Sequence, residues 1–119
     1  MDDVVREIRA ERARQERRWG EQNHPDVCPI LTGREGGATP QRIAEDLEIP
    51  TEARAQYLCG LAARAGRLTW AVILVEELAE AVAAAARGDR AGLRAELIQV
   101  AAVAVAWVEA IDRREVSRG

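Results

Sequence analysis

Apolar residues recur along most of this chain at helical spacing, and no segment alternates with the period of two that a half-buried strand requires. Five stretches are set off by caps and breakers. Asp2 or Asp3 can start a first helix that ends near Trp19, before Gly20. Its apolar stripe, Val4, Val5, Ile8 and Ala13, is modest on an otherwise wet surface rich in Arg and Glu. Thr39-Pro40, a cap followed by proline at the first helical position, predicts a short helix over about 40–48, which Pro50 ends. Thr51 caps a third helix to about Ala65, with Leu58, Leu61 and Ala62 toward the core and Gly66 as its stop. Thr69 caps a fourth, from Trp70 to about Arg87, closed by Gly88. Asp89 opens a long last helix to about Arg114, followed by a polar tail over 115–119. Residues 20–39 gather Gly20, Gly33, Gly36 and Gly37 with Pro25 and Pro29, and read as a long irregular loop. The expected fold is a single all-α domain, a helical bundle of four to five helices in which the last two, joined by a short turn, are antiparallel neighbours.

The fourth helix breaks its own pattern. At about 100° per residue, Glu76, Glu77 and Glu80 fall within an arc of roughly 100°, and the same arc continues into Trp70, Ile73 and Ala84. The acids therefore form a patch inside a packing face. Burying an ionised carboxylate costs several kcal/mol unless a positive charge compensates, and no Arg lies between Arg67 and Arg87. A bound cation answers that need most simply. The last helix supplies a matching patch, because Glu96 and Gln99 share a face that continues into Val103 and Ala106. Its opposite side, Ile98, Ala101 and Val105, is apolar too, and a helix apolar all round needs more neighbours than one small bundle provides. An obligate homo-oligomer, most simply a dimer, is expected.

Composition narrows the partners. The 119 residues suffice for one core, and with 3% aromatics and no Phe that core must be built from Ala, Val, Leu and Ile. A net charge of -3 argues against nucleic-acid polymers and membrane surfaces, although the basic residues, all of them Arg, concentrate in the first helix. Cys28 and Cys59 lack metal-ligand spacing, and Met1-Asp2-Asp3 lacks the basic-then-apolar order of a signal peptide, so a reduced, cytoplasmic protein is expected. The longest apolar stretch, Leu97 to Val108 broken only by Gln99, is short for a bilayer and reads as a core helix.

The pattern Glu76-Glu77-x-x-Glu80, then fifteen residues, then Glu96-x-x-Gln99, on two consecutive helices, resembles the MazG-like all-α nucleoside triphosphate pyrophosphohydrolases, a superfamily that includes the dimeric dUTPases. The Arg-Trp-Gly-Glu-Gln-Asn-His-Pro-Asp run over 18–26, the Leu-Thr-Trp lead-in at 68–70 and the stretch Leu97 to Trp107 look like MazG-like proteins of phages and actinobacteria. The resemblance implies Mg²⁺-dependent cleavage of a nucleoside triphosphate to the monophosphate and pyrophosphate, with Mn²⁺ as a substitute. Under it, Glu76, Glu77, Glu80 and Glu96 are the protein ligands, and Glu76 or Glu77 can instead orient and deprotonate the attacking water. Mg²⁺ suits such a set, since it uses a few carboxylates plus substrate phosphates. The chain departs from the family pattern at Gln99, where Asp is usual. An amide oxygen can still ligate the metal or hold a metal-bound water, but it brings no charge.

Outside the acids the signals are softer. Trp19 could stack on a base and Gln22 or Asn23 read its edge, while Arg14, Arg17 and Arg18 could meet phosphates. A Trp at a helix end is more often a structural plug, and Arg residues on a wet face need no function. His24 reads as a polar loop residue, and Trp70 and Trp107 as packing. Gly33, Gly36 and Gly37 near Arg34 only loosely suggest a phosphate-cradling loop, lacking the Lys and Ser/Thr of a P-loop. Two readings stand beside the enzyme: a non-catalytic nucleotide- or metal-binding relative, and a purely structural helical oligomer.

Overall fold

A computed structural model describes residues 2–28 and 39–118, and among them the protein is all-α. Its five helices are α1 (Asp2–Trp19), α2 (Pro40–Leu47), α3 (Glu52–Arg64), α4 (Trp70–Arg87) and α5 (Arg90–Arg118). The expected caps are in place. The hydroxyls of Thr39, Thr51 and Thr69 accept from the backbone N–H of Arg42, Arg54 and Val72 at 3.1–3.2 Å, and the Asp89 carboxylate accepts from Gly92 N–H at 2.9 Å. Each satisfies an otherwise orphaned donor of a first turn. Thr69→Ala is expected to lower stability by about 1 kcal/mol, read as an earlier urea midpoint with an unchanged slope.

Gly88 ends α4 at φ +73°, a left-handed conformation that costs glycine nothing, and its N–H bonds back to the carbonyls of Ala84 and Ala85. That reversal lets α5 begin two residues later. The last helix runs on to Arg118, past the expected end near Arg114. No glycine or proline interrupts it there, and the Arg114 guanidinium donates to the Ala110 carbonyl at 3.4 Å, a favourable place for a cation near a helix C-terminus. Of the expected loop, 20–28 are non-helical and 29–38, with Gly33, Arg34, Gly36 and Gly37, lie outside the described residues.

The chain forms two compact units, one of 25–103 and one of 1–24 with 104–119. In the first, α2 and α3 both pack on α4. Its core is Ile43 and Ala44 of α2, Ala55 of α3, and Ala79, Ala81, Ala83 and Ala84 of α4, with Ile43 only 1% exposed. Alanines at the contact allow helix axes toward the short end of the usual 8–10 Å spacing. On α3 the core position is Ala55, with Leu58 and Ala62 half-buried. Leu61, expected inward, is exposed, because it sits to one side of the stripe that 55, 58 and 62 mark at 3.6 residues per turn. Arg87 pairs with Glu52 at 3.6 Å, partly exposed and of minor energetic weight. In the second unit, Val4 of α1 is buried, and Val4 and Ile8 line an apolar groove with Ala104, Val105 and Val108 of α5. By length and composition alone, Arg90–Val116 would suffice to cross a membrane, and none of it is fully buried.

Candidate metal centre

Three carboxylates from two helices converge in the unit of 25–103. Glu77 and Glu80 stand three residues apart on α4, and Glu96 stands near the start of α5; one oxygen of each lies within 4.8 Å of the others. The short turn at Gly88 and Asp89 makes this possible, since Glu80 and Glu96 are each eight residues from Gly88 along the chain. All three side chains are half-buried. Neighbouring oxygens on one octahedral Mg²⁺ at about 2.1 Å lie about 3.0 Å apart, so the trio must draw together to close around an ion.

The electrostatics of the cluster show what it lacks. Burial, followed by the charges of Glu96 and Glu76, raises the Glu77 carboxyl above its ordinary value. Burial also dominates at Glu80, whose carboxyl is pushed up to about 7 by the added charges of Glu77 and Glu96, against the opposing effect of Gln56. The Gln56 amide of α3 donates to Glu80 at 3.5 Å. Among the described residues, the charges acting on Glu77 and Glu80 are thus other carboxylates. A divalent cation with a preference for oxygen would reverse the sign of that environment, and the all-oxygen donor set fits Mg²⁺ or Mn²⁺ better than a thiophilic metal.

Glu76 stays outside the trio but beside it. The interaction of the Cys59 thiol of α3 with the Glu76 carboxylate, then burial, then the charges of Glu76, Glu77 and Glu80 push the thiol up to about 11. Gln99, by contrast, is exposed. On the helix wheel it is displaced by about 60° from Glu96, enough to turn it toward solvent at the edge of the half-buried face. Sequence reasoning passed over Cys59 and Gln56. Both come from α3, and only the packing of α3 on α4 brings them to the acids; nothing in their spacing marks them.

The expected nucleotide contacts lie in the other unit. Trp19 is 59% exposed, with the Arg18 guanidinium 4.7 Å from its ring centre. Arg14 binds Glu11 one turn back, its Nε at 2.8 Å. Asn23 donates to Glu21 at 3.0 Å, and Gln22 and His24 line a polar recess of about 310 Å³ with Arg12, Gln15 and Glu16. Comparison of the chain with protein-family models, with curated proteins and with solved structures finds no match in any of the three.

Proposed function

We propose that the chain is a Mg²⁺-dependent, MazG-like nucleoside triphosphate pyrophosphohydrolase that converts a (d)NTP to the (d)NMP and pyrophosphate. The observation that carries this reading is the convergence of Glu77, Glu80 and Glu96, whose electrostatic neighbours among the described residues are further carboxylates. These three would hold Mg²⁺, or Mn²⁺ in its place, which when bound supplies charge neutralisation for the phosphates and a more acidic water. Glu76, beside the trio and near the Cys59 thiol, would accept a proton from the water that breaks the bond between the α- and β-phosphates. Trp19, Gln22, Asn23, Arg14 and Arg18 are the proposed contacts to base and phosphates, by stacking, edge hydrogen bonds and charge.

The test is pyrophosphate release from a panel of canonical and modified (d)NTPs with Mg²⁺ or Mn²⁺. Turnover of one or a few members supports the reading and names the substrate; no turnover with any nucleotide in either metal overturns it. The exposure of Gln99 favours one other reading, a relative that binds metal or nucleotide without turnover. Calorimetric titration with Mg²⁺ and with a nucleotide would then give binding where the release assay gives none.

A further inference from the structure

Within the unit of 25–103, α2 and the non-helical stretch over 25–28 enclose a cavity of about 260 Å³. Pro25, Val27, Ile43 and Leu47 give it a largely apolar lining. Among the described residues, the charged ones that line it are Asp26 and Asp46. Ile43, Asp46 and Leu47 stand at i, i+3 and i+4 on α2, and so share one face of the helix. Asp46 is only 9% exposed, whereas Leu47, at 44%, brings the lining to the surface. A carboxylate that loses water in this way costs stability, and a face made for packing alone has no use for one. A mostly apolar hollow with a few polar groups set into it is the usual form of a small-molecule site.

The lining selects its occupant by charge and by size. An ionised carboxylate accepts hydrogen bonds and donates none, and apolar walls strengthen its attraction for a positive charge. Asp46 already interacts within the protein. A carboxylate has about four acceptor positions, however, and can receive ligand N–H groups beside an existing partner. The volume lies just below the roughly 300–1,000 Å³ of pockets for drug-sized ligands, which limits the occupant to about one ring. We propose that the cavity binds a small organic cation, an ammonium or amidinium group on an apolar body, with its N–H groups on Asp46 and its body against Val27, Ile43 and Leu47. An amidinium suits it best, because it presents two parallel N–H groups to one carboxylate. The site differs in kind from the trio of Glu77, Glu80 and Glu96: that set offers oxygens to a bare ion, whereas apolar walls favour a cation that carries hydrocarbon. None of its residues is a proposed metal ligand or nucleotide contact, so it stands whether or not the chain is an enzyme.

Titration of the isotopically labelled full chain with benzamidinium, and with benzyl alcohol and benzoate as neutral and anionic counterparts, tests this through backbone amide NMR shifts. Benzamidinium is expected to move the amides of Val27, Ile43, Asp46 and Leu47 saturably, with a dissociation constant of about 1 mM or below. It is expected to bind at least about tenfold more tightly than either counterpart, and Asp46→Asn to remove that advantage. Val27→Trp, which fills the cavity from the irregular stretch, is expected to abolish binding. That variant keeps the test decisive if Asp46→Asn loses its helical circular dichroism. Equal affinity for benzyl alcohol overturns the proposal. So does a response confined to the amides around Glu77, Glu80 and Glu96, the mark of a cation drawn to the other acids. The absence of any saturable shift, or an affinity unchanged in Val27→Trp and in folded Asp46→Asn, overturns it as well.

Discussion

Glu77→Ala is expected to abolish pyrophosphate release while making the metal-free protein more resistant to heat. The two effects have one origin. Removing even a group that supports a metal ligand typically costs 10–100-fold, so removing a ligand from a set of three should cost at least about 100-fold in kcat/KM. The same carboxylate is a liability without the metal, since burial and the charges of Glu96 and Glu76 disfavour its ionised form. Its loss should also let Glu80 titrate closer to an ordinary carboxyl, because Glu77 is one of the charges that hold it up. Activity assays and thermal melts in EDTA on one preparation check both. Retained turnover would place the chemistry elsewhere, and loss of turnover with a lower melting temperature would make Glu77 a structural residue of the α4–α5 hairpin.

Mg²⁺ should stabilise the protein, and more so at pH 8 than at pH 5. The Glu80 carboxyl is pushed up to about 7 in the folded chain, against an ordinary value of 4.5. Between those two values the folded state holds a proton that the unfolded state has released. Metal-free stability is therefore highest below about pH 4.5 as far as this group is concerned, falls as pH rises through the window, and stays lower above 7. Glu77, raised for the same reasons, acts in the same direction. A cation competes with those protons, so its affinity climbs over the same window. At a free Mg²⁺ concentration of about 100 times the dissociation constant the stabilisation is about 2.7 kcal/mol, a rise in Tm of roughly 10 °C for a chain of this length. Melts at pH 5 and pH 8, each with EDTA and with Mg²⁺, check the sign. An equal Mg²⁺ response at both pH values, or none, would mean that Glu77, Glu80 and Glu96 do not share an ion.

Local chemistry made the helices legible in the sequence. Thr39, Thr51 and Thr69 could be recognised as caps because a hydroxyl before an apolar periodic run has one favoured use, and Gly88 as a stop because few other residues accept its backbone conformation. The meeting of Glu77 and Glu80 with Glu96 was legible for a geometric reason: with a two-residue turn, equal distances from the turn bring residues to the same level of a helical hairpin. Rotation about the α5 axis was less legible. Glu96 and Gln99 seemed equivalent at a separation of three, yet 60° of rotation divides the half-buried face from solvent, and the pattern of a helix apolar all round does not fix that boundary. The contributions of α3 were hidden for another reason. Cys59 and Gln56 reach the acids through packing between alanine-lined helices, whose register leaves little trace in the order of residues.

The carboxylates around Cys59 also give the chain two thiols of unequal chemistry. With its titration near 11, Cys59 is thiolate in only about one molecule in ten thousand at pH 7, while Cys28 is exposed. A maleimide applied briefly at neutral pH should alkylate Cys28 and spare Cys59, as peptide mass spectrometry would show. A cation seated among the neighbouring carboxylates would weaken the field that keeps the Cys59 proton in place. The alkylation rate of that one sulfur would then report, without substrate or turnover, whether the acids hold an ion.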